Sequence, residues 1–275
     1  MHMMRNIIFT LAVVILLLPG LSPEKVLAAN LSSRWTVDQH TRSRLFVGGY
    51  DKENRILHLG WQLSLKAGWK TYWRTPGDAG LPPRWTWKET ENVRAIAVRW
   101  PVPELINIFD MDTYIYHDEV ILPIDVEIAD TGMPVSLALD LQYLICAEVC
   151  IPQEATYSLD ISSVENIKIS LFQKAQLDRY RDLVPVKLSG RDIVIRPDPD
   201  QENMLLLRLP ENFINIENII LEGANGLLFG RVTAKGHGRF NIIHNGKLPL
   251  EGQELTLTLL SEDNGASEMK IIVRP

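Results

Sequence analysis

Positive charge is in short supply in this 275-residue chain: 28 Lys and Arg stand against 34 Asp and Glu, for a net charge of −6. Such a chain has no broad basic face to neutralise phosphates, which argues against nucleic acid and anionic membranes as partners. Membrane-length apolar runs are missing as well. The longest, Ile7–Leu18, is broken only by Thr10 and falls well short of the roughly 20 residues that span a bilayer as a helix. Internal repeats and low-complexity tracts are absent. Hydrophobic residues at 46% and charged residues at 23% fit a globular chain with a sizeable core and exclude a fibrous one. Cysteine is limited to two residues.

What is present begins with an export signal. Arg5 precedes the short apolar run, Pro19-Gly20 ends it, and Val26-Leu27-Ala28-Ala29 offers small residues where a signal peptidase can cut. Residues 1–29 are therefore expected to be a signal peptide, with an uncleaved anchor as the alternative. No cysteine lies near the cut, so lipid anchoring is not indicated, and the exported chain is expected to be soluble and periplasmic. An oxidising compartment lets Cys146 and Cys150 pair. The loop they close is so short that stabilisation alone explains the pair weakly, and chemistry becomes the stronger reason for it.

The rest of the chain reads mostly as strands. Ile56–Leu65 and Glu119–Ile128 carry sheet patterns, and from Val135 to Ile145 apolar residues alternate with polar ones. Gln153–Asp160 is again strand-like, so Cys146-Ala147-Glu148-Val149-Cys150 is expected at the closed end of an antiparallel hairpin, where two cysteines reach each other. Residues 163–184, rich in Gln, Lys, Arg and Leu and stopped by Pro185, form the helix candidate, with Ser162 or Ser163 as N-cap. It is read as a connector between domains. Beyond it, strands are expected at Asp192–Arg196, Met204–Leu209, Asn218–Leu221, Leu227–Thr233 and Phe240–Ile243. A final hairpin turns through Asn264-Gly265.

Four motifs carry a resemblance. They are G-W-K-T-Y-W-R-T-P-G-D-A-G-L-P-P at Gly68–Pro83, W-P-V-P at Trp100–Pro103, Y-I-Y-H-D-E-V-I-L-P-I at Tyr114–Ile124 and Y-L-I-C-A-E-V-C-I-P-Q-E-A at Tyr143–Ala155. Together, and in this order, they resemble the periplasmic amino-terminal domain of DsbD-type thiol:disulfide interchange proteins. The match is nearest the ScsB branch, which is linked to copper tolerance. The resemblance implies an all-β chain of two immunoglobulin-like β-sandwich domains, residues 30–160 and 186–275, joined by a short helical connector at 161–185. The second sandwich is matched only loosely. It also implies a disulfide reductase or redox relay that passes electrons from a separate membrane partner to periplasmic thioredoxin-fold proteins, with no cofactor and no metal. The three residues between the cysteines are fewer than in DsbD itself, so the partners are open to difference. Because the chain ends at Pro275, without the membrane and thioredoxin-like domains of the family, it is not expected to draw electrons across a membrane alone.

By the same resemblance Cys150 is the sulfur that forms the mixed disulfide and Cys146 the resolver. Disulfide exchange needs an attacking thiolate, a resolving thiol close by and room for a partner, and a hairpin tip can supply all three. Glu148 between the cysteines disfavours a thiolate on either side. The stretch from Phe109 to Tyr114 falls where the family places a cap loop over the disulfide, so Phe109, Met111 and Tyr114 are candidates for the covering side chain, against a plain core role. Asp112, Asp118 and Glu119 are candidates to move protons near the thiols, against plain solvation. Tyr143 is expected to pack beneath the pair.

Two rival readings come from the residues. Trp69, Tyr72, Trp73, Trp85, Trp87 and Trp100 would suit a sugar-binding face, but W-K-T-Y-W mixes both faces of a strand, so some rings must enter the core. Copper(I) would suit Met111, His117 and the cysteines, although no close ligand cluster is visible beyond the pair. The alternative to exchange is a non-catalytic periplasmic binding module with a structural disulfide, possible ties to copper tolerance included.

Overall fold

A computed structural model of the chain describes residues 31–213, 215–223, 227, 229–245, 250–262 and 265–275. The expected signal peptide, and Asn264 of the last turn, lie outside the described residues. The described residues are all-β apart from one α-helix.

The amino-terminal half contributes β1 (Thr36–Val37), β2 (Thr41–Asp51), β3 (Ile56–Leu65), β4 (Lys70–Gly77), β5 (Arg84–Glu91), β6 (Val93–Val98), β7 (Glu104–Ile108), β8 (Met111–His117), β9 (Glu119–Ile128), β10 (Val135–Cys146) and β11 (Cys150–Ile161). One sheet runs β1-β2-β3-β9-β6 and the other β11-β10-β4-β8-β7, with β5 also paired to β10. Their inner faces meet in a core that takes Leu45, Trp61 and Leu122 from the first sheet and Trp73, Leu139 and Tyr157 from the second. At its centre the Trp61 indole donates to the Tyr157 hydroxyl (3.0 Å), which lies 2.7 Å from Ser43 Oγ. Buried polar atoms thus partner one another and avoid the cost of an unmade hydrogen bond.

The single helix, α1 (Leu171–Arg181), starts later than the composition of 163–184 predicts. Its N-cap is Ser170, in extended geometry, whose side chain accepts from Gln173 N. Before it, buried Val164 and partly buried Ile167 and Ile169 pack on the first core through a turn and irregular chain rather than a helix. Nor is α1 a free connector. It lies on the outer face of the first sheet, where Leu177 is buried with Phe46 and Ile121. A Cβ on Gly48 would stand 2.5 Å from Leu177, so the strand has no side chain where the helix crosses. Coverage on both faces fits β9, where Val120–Ile124 is continuously apolar, whereas β3 alternates Leu57, Leu59, Trp61, Leu63 and Leu65 with His58, Gly60, Gln62 and Ser64.

The carboxy-terminal half contributes β12 (Val186–Lys187), β13 (Val194–Asp198), β14 (Gln201–Arg208), β15 (Ile216–Glu222), β16 (Phe229–Gly236), β17 (Arg239–His244), β18 (Glu254–Ser261) and β19 (Gly265–Ile272). They form sheets β12-β19-β18-β15 and β13-β14-β17-β16 around a second core that includes Ile195, Leu207, Ile219, Leu257 and Met269. The halves touch. Ile220 of β15 is only 1% exposed and belongs to the first core, and Arg74 of β4 reaches Glu222 and Glu268.

Candidate redox site

Cys146 ends β10, Cys150 begins β11, and they face each other in register, joined by a disulfide. The hairpin expected from the alternating pattern is present, closed by Ala147 N donating to Val149 O. Residues 141, 143 and 145 point into the core, so by strand parity Cys146 and Leu144 point outward. The disulfide therefore sits on the outer face of the second sheet, at its end.

That outer face carries a small apolar cluster of its own. Cys146 is buried there with Tyr72 and Ile115, flanked by Ile106 and Leu144. A Cβ on Gly80 (φ +102°) would lie 2.2 Å from the Tyr72 ring, so the chain after β4 can close over that ring only with glycine. Burial pushes the Tyr72 phenol up, which keeps it neutral. Leu81, Pro82 and Pro83 continue along the face and, with Leu144, Pro152 and Glu154, line a shallow depression of about 530 Å³ beside the hairpin.

The two sulfurs are unequally placed. Cys146 is 2% exposed, whereas Cys150 and Val149 are exposed, and β11 is an edge strand. An incoming nucleophile has access to Cys150 and not to Cys146.

Polar groups border the pair on the other side. Cys146 pairs with Lys70 of β4, and Lys70 pairs in turn with His117 of β8. His117 Nδ1 lies 2.8 Å from Asp118 and Nε2 lies 2.6 Å from Glu104. The hydrogen bond to Asp118, with Glu104 assisting against desolvation, raises the imidazole pKa. Glu148 is exposed in the turn between the cysteines.

The remaining expected site residues lie elsewhere. Phe109 and Asp110, both at positive φ, form the two-residue tip of the β7–β8 hairpin, where Ile108 pairs with Met111. Met111 is six residues along β8 from His117, about 20 Å at the usual strand rise. Phe109 is 91% exposed and does not cover the disulfide in this structure. Asp112 belongs to the same distant end, where its Oδ1 accepts from Asn107 and its N–H donates to Asp78. Tyr114 packs edge-on against Trp73, and burial raises its phenol pKa. Glu119 accepts from Gln62 and Ser64 on the first sheet, away from the sulfurs. Of the three acids considered for proton transfer, Asp118 alone adjoins the Cys146–Lys70–His117 row.

One further expectation is corrected. Tyr143 does not lie beneath the pair: three residues before Cys146 it occupies the opposite face, edge-on to Trp61 at 5.3 Å. The tryptophan-rich stretch forms no exposed row, because Tyr72 and Trp73 are buried and Trp69, Trp85, Trp87 and Trp100 pack against the first core. Met111 and His117 stand at opposite ends of β8. Among the described residues no group of three or more His, Cys, Asp and Glu is arranged to hold a metal. Lys70, Tyr72 and the Leu81–Pro83 wall were missed by sequence reasoning, since they reach the site through pairing of β4 with β10. Only the parity of Lys70 and Tyr72 in W-K-T-Y-W hinted at a shared face.

Residues 40–161 match the family model described as the amino-terminal part of the thiol:disulfide interchange protein DsbD. No curated protein matches the chain in sequence. Among solved structures, the N-terminal periplasmic domain of ScsB from Proteus mirabilis is similar at a TM-score of 0.70 and 22% identity, over 90% of this chain and 99% of that one. The reduced N-terminal domain of DsbD from Neisseria meningitidis aligns at a TM-score of 0.28 and 17% identity, over 44% of this chain and 84% of that one. Among the described residues no helix is long and apolar enough to cross a membrane.

Proposed function

With residues 40–161 forming a DsbD-type amino-terminal domain near ScsB, we propose that the chain is a periplasmic redox relay. It takes electrons from a membrane-embedded partner and passes them to thioredoxin-fold proteins through Cys146 and Cys150. The observation that carries this reading is the asymmetry of the disulfide: one sulfur open at a sheet edge, the other sealed in an apolar cluster. Exchange needs one sulfur that a partner can reach and one that only its neighbour can reach. Cys150 is then the sulfur of the mixed disulfide and Cys146 the resolver.

The division of labour follows. Residues 31–184, α1 included, make the redox sandwich, and residues 186–275 a second sandwich that buttresses it. The depression beside the hairpin and the exposed Phe109 tip are surfaces a partner can touch. Export through residues 1–29 would place the chain where such partners are found.

The test is the fraction of free thiol in the folded protein across a series of glutathione redox buffers, with a thioredoxin-like dithiol as donor. A relay opens within the range that such donors reach, whereas a structural staple stays oxidised until the domain unfolds.

A further inference from the structure

We propose that Lys70 stabilises the thiolate of Cys146, and so governs how fast the disulfide opens and re-forms; this deepens the exchange reading and rests on it. The placement comes from register. Lys70 is directly opposite Cys146 on the neighbouring strand, so the two side chains share one face, with Cβ atoms about 4.5–5.5 Å apart. An ammonium on a four-carbon stem reaches the sulfur easily across that gap. Cys146 needs such help, because its surroundings are Tyr72, Ile115, Ile106 and Leu144 and burial disfavours a charged sulfur.

The neighbouring charges leave the task to Lys70. From β8, His117 faces the same row, but Glu104 of β7 and Asp118 compensate its charge. Glu148 in the turn is exposed and of the wrong sign. Lys70 is half-buried and makes no ion pair among the described residues, so its charge is not neutralised by a carboxylate there.

The chemistry uses this charge in both directions. When a donor dithiol reduces the protein, its thiolate attacks Cys150 Sγ and a new S–S bond forms. The Cys146–Cys150 bond breaks, and its electron pair leaves on Cys146 as a thiolate beside Lys70. The donor's second thiol then loses its proton and attacks the donor sulfur of the mixed disulfide. Cys150 is released as a thiolate, and the two sulfurs of the protein take up two protons. When the protein reduces a partner disulfide, the Cys150 thiolate attacks one partner sulfur, the partner S–S bond breaks and its other sulfur leaves as a thiolate. Cys146, having lost its proton, then attacks Cys150 Sγ, re-forms the Cys146–Cys150 bond and expels the first partner sulfur, and the two partner sulfurs take up the protons lost by the two cysteines.

The experiment compares the full chain with Lys70→Met and Lys70→Arg, each also in a Cys150→Ala background that leaves Cys146 as a lone thiol. Ultraviolet thiolate absorbance against pH should place the Cys146 midpoint about 1 pH unit higher in Lys70→Met, with Lys70→Arg close to the parent. With both cysteines present, opening by dithiothreitol should slow about threefold in Lys70→Met, which is one unit of leaving-group pKa at a sensitivity near 0.5. Equal midpoints in Lys70→Met and parent would overturn the proposal, as would a Lys70→Arg variant that behaves like Lys70→Met. A disulfide that no dithiol opens in the folded parent would instead remove the exchange reading, while the titration of Cys146 would still report on Lys70.

Discussion

Arg74 Nε donates to Glu222 Oε1 at 3.0 Å, a contact between residues 148 positions apart that ties β4 of the amino-terminal half to β15 of the carboxy-terminal half. The same guanidinium bonds the other Glu222 oxygen at 2.6 Å and Glu268 of β19, and its face stacks over Trp73 at 4.3 Å. Thr75 adds a hydrogen bond to Glu222 at 2.6 Å. The anchor lies where the β4–β8 register shifts between Tyr72 and Gly77, so β4 carries Tyr72 of the redox cluster and, two residues later, the joint between the halves.

Removing this guanidinium leaves two carboxylates, 13% and 17% exposed, without their cation. Arg74→Met is expected to lower unfolding stability by about 2–3 kcal/mol, below the usual 3–5 for a fully buried pair because water still reaches the site. Urea unfolding of variant and parent measures it. A change under about 0.5 kcal/mol would mean that the joint is a surface contact only.

Acid should weaken the packing of α1. Burial pushes the Asp125 carboxyl upward, but hydrogen bonds from His58, Arg181 and Arg99 outweigh it and hold the pKa well below the usual carboxylate range. A depressed folded-state pKa gives stability that is present above the unfolded value, about 3.9, and lost as pH falls towards the folded one. Asp125→Asn should therefore cost stability at neutral pH and flatten the acid limb of a plot of Tm against pH. An unchanged acid limb would count against the assignment.

The helix packs on the first sheet through Leu177. Leu177→Ala should cost about 2–4 kcal/mol, as for other buried leucines, because Phe46 and Ile121 lose their cover. A chain cut near Asp160 loses α1 and Val164 altogether and should unfold at a lower temperature than one cut after Val184. Circular dichroism melts of the two truncations compare them directly; equal melting temperatures would restore the connector reading.

The sulfurs should behave asymmetrically. Cys146→Ala should accumulate a covalent adduct with a thioredoxin-fold partner lacking its own resolving thiol, because nothing remains to expel that partner, and Cys150→Ala should not. Non-reducing gels read the outcome. An adduct in Cys150→Ala alone would reverse the roles.

The closing of the Tyr72 pocket can be probed at Gly80. Gly80→Ala places a methyl group against the ring at a φ that L-residues avoid, and a loss of about 1–3 kcal/mol is expected. If the loop over Tyr72 shields Cys146, dithiothreitol should also open the disulfide faster in this variant.

Much of this was legible before the structure. The sequence ranges of β3 and β9 coincide with their apolar patterns, and the alternation from Val135 leads directly to the cysteine hairpin. The site around the hairpin was less legible, because Lys70, Tyr72 and His117 come to Cys146 through pairings of β4 and β8 that no local pattern records. Helix composition misled at Val164, Ile167 and Ile169, where the chain runs as turn and coil packed on the first core. Spacing treats Cys146 and Cys150 alike; their difference in exposure arises only when β4 closes one side of the hairpin and nothing closes the other.

That open side is a free sheet edge of the kind to which a strand from a second molecule can add. Leu144 directs its carbonyl to Thr71, away from β11, so the Leu144–Pro152 pair is of the non-hydrogen-bonded kind and Pro152 turns its ring nitrogen to the free edge. A strand arriving from a second molecule would meet no N–H donor there, and past it an exposed charge at Glu154. Pro152 thus interrupts the edge beside Cys150, so that an added strand could not carry an unbroken ladder from Cys150 into the rest of β11.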